Sequence, residues 1–148
     1  MKKLAFYFLI LAGVVLAACA APAAPAVLEP IDLVLTTTDI AYDPDRFEVT
    51  AGQLVRLTLR NEGVLVHDFS IMNIPHTGEV VVSEDAEEME GHDMSNMAEE
   101  PEIHVAAPAG GRNTVEFTPS QPGEYEFYCT VSGHKEAGMV GTFVVKAP

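Results

Sequence analysis

From Ile31 to Lys146 apolar residues recur at every second position in short runs, and turn residues stop each run. Ile31, Leu33 and Leu35 alternate with other side chains, and Phe47-Glu48-Val49 ends at Ala51-Gly52. Leu54 to Leu59, with Arg56, Thr58 and Arg60 on a wet face, ends at Asn61-Glu62-Gly63. Val64 to Ile71, Thr114 to Phe117, Tyr125 to Tyr128 and Thr142 to Lys146 continue the pattern. A period of two sends successive side chains to opposite faces of a strand. Short, closely spaced strands with no useful stretch of 3.6-residue periodicity close as two packed sheets or a barrel. The expected fold is therefore all-β, an antiparallel Greek-key sandwich or barrel over residues 31–148.

Two segments stand apart. In residues 79–102, ten of 24 side chains are acidic and none is basic. Self-repulsion and a scarcity of large apolar groups predict a disordered acidic insertion between strands. At the N-terminus, Lys2 and Lys3 precede the apolar run Leu4 to Ala18. The run is short against the roughly 20 residues a bilayer span needs and suits the core of a signal peptide. Leu16-Ala17-Ala18-Cys19 resembles the lipobox of bacterial lipoproteins, which implies cleavage before Cys19 and lipidation of its thiol. Residues 1–18 are thus expected to be a lipoprotein signal peptide. Residues 19–30, the lipidated cysteine and an Ala/Pro stretch, should form a tether holding the domain outside the cytoplasm, on the periplasmic side of a membrane.

Charge and cysteine count narrow the function. With 22 Asp and Glu against 8 Lys and Arg, the formal charge is −14. That balance argues against nucleic acid, whose backbone is bound mainly by clustered Lys and Arg, and favours a partner with a basic face. If Cys19 carries lipid, Cys129 is the one remaining thiol, and the even cysteine count implies no internal disulfide.

The chemistry lies in Cys129-x4-His134-x4-Met139, where thiol, imidazole and thioether fall within eleven residues. Soft and intermediate donors of this kind suit copper rather than calcium or magnesium. Gathering them about one ion needs tight backbone, and Gly133, Gly138 and Gly141 stand where it would be needed. His67, in an apolar run after Asn61-Glu62-Gly63, is the candidate fourth ligand. Singly, His67 reads as a core histidine, Cys129 as a small buried hydrophobe and Met139 as core filling. Their joint spacing favours a metal.

Asn61…His67-Asp-Phe-Ser-Ile, followed by Pro122-Gly-Glu-Tyr-Glu-Phe-Tyr-Cys129-x4-His134-x4-Met139-x-Gly141, resembles the cupredoxins, the small type 1 blue copper proteins. The two four-residue gaps are similar to those of rusticyanin-like and sulfocyanin-like members, whereas plastocyanin has a shorter Cys-to-His gap. The resemblance implies one copper held by His67, Cys129 and His134, with Met139 as a weak axial ligand. It also implies a surface-reaching His134 amid an uncharged rim of Val131, Ala137, Gly138 and Val140, and a buried His67. Asp68 replaces the Asn or Ser of many relatives. It is expected to accept a hydrogen bond from Thr130 and, with Asn61, to brace the ligand segments.

The function so implied is a one-electron carrier between membrane-associated redox proteins. With every ligand position filled by protein, no enzymatic activity is expected. The alternative is copper binding and delivery through the insertion, where His92, Met94 and Met97 offer a weak site beside Met89.

Overall fold

The computed structural model describes residues 28–83 and 99–148. Ten strands follow in order: β1 (Ile31–Thr38), β2 (Ala41–Asp43), β3 (Arg46–Thr50), β4 (Val55–Asn61), β5 (His67–Ile71), β6 (His76–Val82), β7 (Ile103–Ala107), β8 (Arg112–Pro119), β9 (Gly123–Tyr128) and β10 (Val140–Lys146). They form two five-stranded sheets, ordered β2-β1-β4-β8-β6 and β3-β10-β9-β5-β7. Alternation supplies the facing surfaces: Leu57 and Leu59 of β4, Val115 and Phe117 of β8, Phe69 and Ile71 of β5, and Phe143 of β10 are all buried. Phe127 lies among them, its ring centroid 5.0 Å from that of Phe69 and 5.2 Å from that of Tyr42. Burying such aromatic rings supplies much of the hydrophobic stabilisation of a small domain.

The sandwich matches the expected class, but its sheets are mixed rather than antiparallel. β1 runs parallel to β4, and β3 parallel to β10. After β1 and β2 the chain crosses to the second sheet as β3, then re-enters the first as β4 in the direction of β1. Period-two patterning fixes which face is buried and carries no information about a neighbour's direction.

The boundaries of the acidic segment also need correction. Glu79 to Val82 belong to edge strand β6, paired with β8 across a bulge. Val80-Val81-Val82 carries enough β propensity to pair despite flanking acids. At the far side, Glu102 caps the turn after β5, its Oε2 accepting from Ile74 N at 2.5 Å. Residues 84–98, with Met89, His92, Met94 and Met97, lie outside the described residues, as do 1–27, with the expected signal peptide and Cys19. The end of the expected tether is pinned where Gln53 Nε2 donates to Glu29 O at 2.9 Å.

Candidate metal centre

The ligand candidates meet at one end of the second sheet. β5 begins with His67, β9 ends one residue before Cys129, and Ser70 pairs with Tyr128, so both residues emerge at the same edge. Between Cys129 and β10 the chain makes successive turns. His134 N donates to Val131 O, Ala137 N to Gly133 O and Gly138 N to Lys135 O, and Met139 N returns to His134 O at 3.0 Å. Gly133 and Gly138 take φ of 83° and 102°, conformations that an L side chain rarely adopts. Cys129 N donates to Met139 O at 3.2 Å, fastening the two ends of the loop together.

Both imidazoles turn Nδ1 toward the thiol: Cys129 Sγ lies 3.4 Å from His134 Nδ1 and 3.9 Å from His67 Nδ1. The three donor atoms fall within 4.8 Å of one another. Bonds of about 2.3 Å to sulfur and 2.0 Å to nitrogen, as at zinc, splayed by a trigonal angle, would place S and N about 3.7 Å apart. The observed separations bracket that value, so the donors already stand where one first-row ion would take all three. Two imidazoles with a thiolate form the trigonal set used by blue copper sites. His67 and Cys129 are fully buried, and His134 is 6% exposed. Met139 is fully buried at the close of the loop.

Burial sets the proton chemistry. The Cys129 thiol is pushed up to about 11, first by desolvation and then by the Asp68 charge, against downward pulls from hydrogen bonds with the backbone of Asp68 and Val131. His67 is held below the ordinary imidazole value by burial, then by His134, so it is kept in the neutral form a metal needs. Tyr42 is raised strongly by burial, with Cys129 and Asp68 adding to it.

Asp68 joins the two ligand-bearing segments. Its Oδ1 accepts from Thr130 N at 2.9 Å and from Ser70 Oγ at 3.1 Å, and its Oδ2 accepts from Thr130 Oγ1 at 2.5 Å. The neighbour of His67 is thereby tied to the neighbour of Cys129, and such outer hydrogen bonds orient ligands. Tyr42 Oη donates to Asp68 O at 2.5 Å. Asn61 anchors the loop that delivers His67: Nδ2 donates to Leu65 O at 2.7 Å and to Ala107 O at 2.9 Å. Its Oδ1 accepts from Gly63 N at 2.9 Å and Thr37 Oγ1 at 3.2 Å, so this one side chain links both sheets.

Around His134, Ala137, Gly138 and Val140 are exposed and Val131 is half-buried. Lys135 turns its charge onto β9, 3.5 Å above the Tyr128 ring and 2.5 Å from Glu126 Oε1. Sequence reasoning missed the contribution of the loop before His67, where Val64 is 77% and Leu65 50% exposed. It also missed Gly63, where a Cβ would stand 3.0 Å from His67 Nε2. The turn signal Asn61-Glu62-Gly63 was visible, but which atoms crowd its glycine depends on the fold.

Comparison with known proteins agrees with this geometry. The family model described as "Cupredoxin-like domain" matches residues 9–145. The copper-resistant cuproprotein CopI of Rubrivivax gelatinosus is 32% identical over 113 residues, covering 76% of this chain and 64% of the relative, so the chain spans less than two thirds of that protein. CopI of Pseudomonas aeruginosa is 30% identical over 130 residues, covering 73% of this chain and 72% of the relative. In fold the chain is similar to auracyanin A, a "blue" copper protein of Chloroflexus aurantiacus, with a TM-score of 0.58 and 21% identity over 79% of this chain and 99% of that one. His67, Cys129 and His134 are a group whose donor atoms could hold one metal ion, and sandwich, ligand loop and family match together show that the chain belongs to the cupredoxin-like domain family, with copper as its cofactor.

Proposed function

We propose that the protein is a mononuclear type 1 copper protein that carries single electrons between redox partners outside the cytoplasm, tethered to a membrane through lipidated Cys19. The observation that supports this best is the buried convergence of His67, Cys129 and His134, with Met139 closing their loop. Copper bound there supplies a one-electron couple. The chain's part is to hold donors still: Cys129 N to Met139 O and the Asp68 to Thr130 bonds tie the ligand segments to one another. A scaffold that fixes its donors keeps the rearrangement between the two oxidation states small. Burial of His67 and Cys129 keeps bulk water away, while His134, the least buried of the three at 6% exposure and on the loop that carries exposed Ala137, Gly138 and Val140, offers the shortest way out to a partner. Four protein donors leave no position for a substrate, so the reading is a carrier and not an enzyme. The net charge of −14 suits a partner with a basic face, whose approach it would steer in a salt-dependent way.

Cupric ion added to the purified protein should give an intense blue thiolate-to-copper absorption at one copper per chain, bleached and restored by one electron. Cys129→Ser should abolish it. A colourless product, or a stoichiometry well above one, would refute the carrier reading.

The relatives named as copper-resistant cuproproteins favour a second reading, copper binding and delivery. Deleting residues 84–98 separates the two. If reversible redox behaviour survives while copper transfer to an acceptor fails, delivery is the function.

A further inference from the structure

One buried polar atom beside the metal centre has no assigned role. His67 turns Nδ1 toward Cys129, so Nε2 faces the other way, buried and without a hydrogen-bond partner. An imidazole that binds a metal through one nitrogen carries its proton on the other, and almost always donates it to a carboxylate, a carbonyl or water. Gly63 shows what surrounds this atom. A Cβ built on it would lie 3.0 Å from His67 Nε2, 2.8 Å from Asp39 Oδ1 and 3.2 Å from Asn61 Oδ1. Three polar groups therefore converge on a gap one methyl group wide.

Two oxygens compete for the proton. Asn61 Oδ1 already accepts from Thr37 Oγ1 and Gly63 N, which fills both of its lone pairs. Asp39 Oδ1 accepts from Val64 N at 3.0 Å, and a carboxylate with about four acceptor sites keeps capacity beyond that bond. Asp39 sits at the β1–β2 turn beside Ile40, whose φ of 68° is costly for a β-branched residue. The turn that carries this carboxylate to Gly63 and Val64 is thus maintained against a local penalty.

We propose that Asp39 is a positioning residue of the copper site: its carboxylate accepts the Nε2–H of His67 when Nδ1 coordinates the metal. The bond fixes the ring's tautomer and orientation, makes the imidazole a stronger donor and adds negative charge behind the buried ligand. Cupric ion is thereby favoured over cuprous. The inference rests on the copper reading above and adds a residue that the ligand motif does not contain.

Two variants test it. Asp39→Asn keeps an oxygen for Val64 N and removes the charge, whereas Asp39→Ala removes both. In a redox titration of the copper-loaded protein, Asp39→Asn should weaken cupric relative to cuprous binding about tenfold, equivalent to a rise in potential of about 59 mV for one electron. In nuclear magnetic resonance of the cuprous, histidine-labelled protein, the wild type should show a slowly exchanging His67 Nε2–H that Asp39→Ala exposes to rapid exchange. A role confined to capping Val64 N predicts no change of potential in Asp39→Asn, and that result overturns the proposal. Rapid Nε2–H exchange in the wild type also overturns it, because only a distant charge would then be acting. A wild type that binds no copper sinks the copper reading as well, whereas a normal wild type beside an indifferent Asp39→Asn refutes this inference alone.

Discussion

Replacing Asn61 by alanine tests whether the loop that delivers His67 is held by one side chain. Four hydrogen bonds are lost, and they are not equivalent. Those to Ala107 O and from Thr37 Oγ1 are buried, so the orphaned groups cannot turn to water. Those to Leu65 O and from Gly63 N are part-buried beside an exposed loop, where solvent replaces much of what is lost. Taking about 1 to 1.5 kcal/mol for each buried bond and about 0.5 for each of the others gives about 3 to 4 kcal/mol. Against the 5 to 15 kcal/mol typical of a domain, that is a large share. With a urea slope of about 1.5 kcal/mol/M, the midpoint of the copper-free protein should fall by about 2 to 3 M. Copper affinity should fall about tenfold or more, because the 61–66 loop no longer fixes the entry of His67 into β5. Equilibrium urea unfolding followed by far-ultraviolet circular dichroism measures the first effect. A loss below about 1 kcal/mol at unchanged slope would refute the claim that Asn61 anchors this end of the sandwich.

Gly141→Ala should be poorly tolerated for a different reason. Its Cβ would meet Phe127 Cζ at 2.1 Å and Asp45 O at 2.6 Å, so overpacking of about 3 kcal/mol or more is expected, read as a lowered Tm. Adding Phe127→Leu should restore part of the loss, and no recovery would count against the ring as the obstacle. In the copper-free protein, the thiol pushed up to about 11 keeps its proton after the unfolded chain, with a thiol near about 8.5, has lost it. Its contribution to stability is present below about pH 8.5 and should be lost as pH rises toward 11. The lowered pKa of His67 acts oppositely: stability is present above the ordinary imidazole value of about 6.5 and is lost as pH falls through the folded value. Urea midpoints measured across this range should therefore decline on both sides, and a midpoint that climbs above about pH 8.5 would refute the thiol argument.

Much of the centre was legible because its donors are local. Cys129, His134 and Met139 lie on one loop whose spacing and glycines already require tight turns, and an adjacent strand supplies His67. Other features were hidden for identifiable reasons. The three-residue β2 is too short to show a period. β6 runs into acid-rich sequence, where composition masks three consecutive valines. Parallel pairing of β1 with β4 depends on a crossover between sheets, which alternation along a single strand does not record.

The amino-acid sequence by itself determined the all-β class, the donor types and the spacing that suits copper, because side-chain period and ligand chemistry are properties of short segments. Tertiary structure decided which distant groups meet those ligands. Asp68 reaches Thr130 across 62 positions, Asn61 reaches Ala107 across 46, and Asp39 comes to Gly63 from another turn. Contacts of that kind follow from sheet order and strand direction, which emerge only when two sheets bury their apolar faces together.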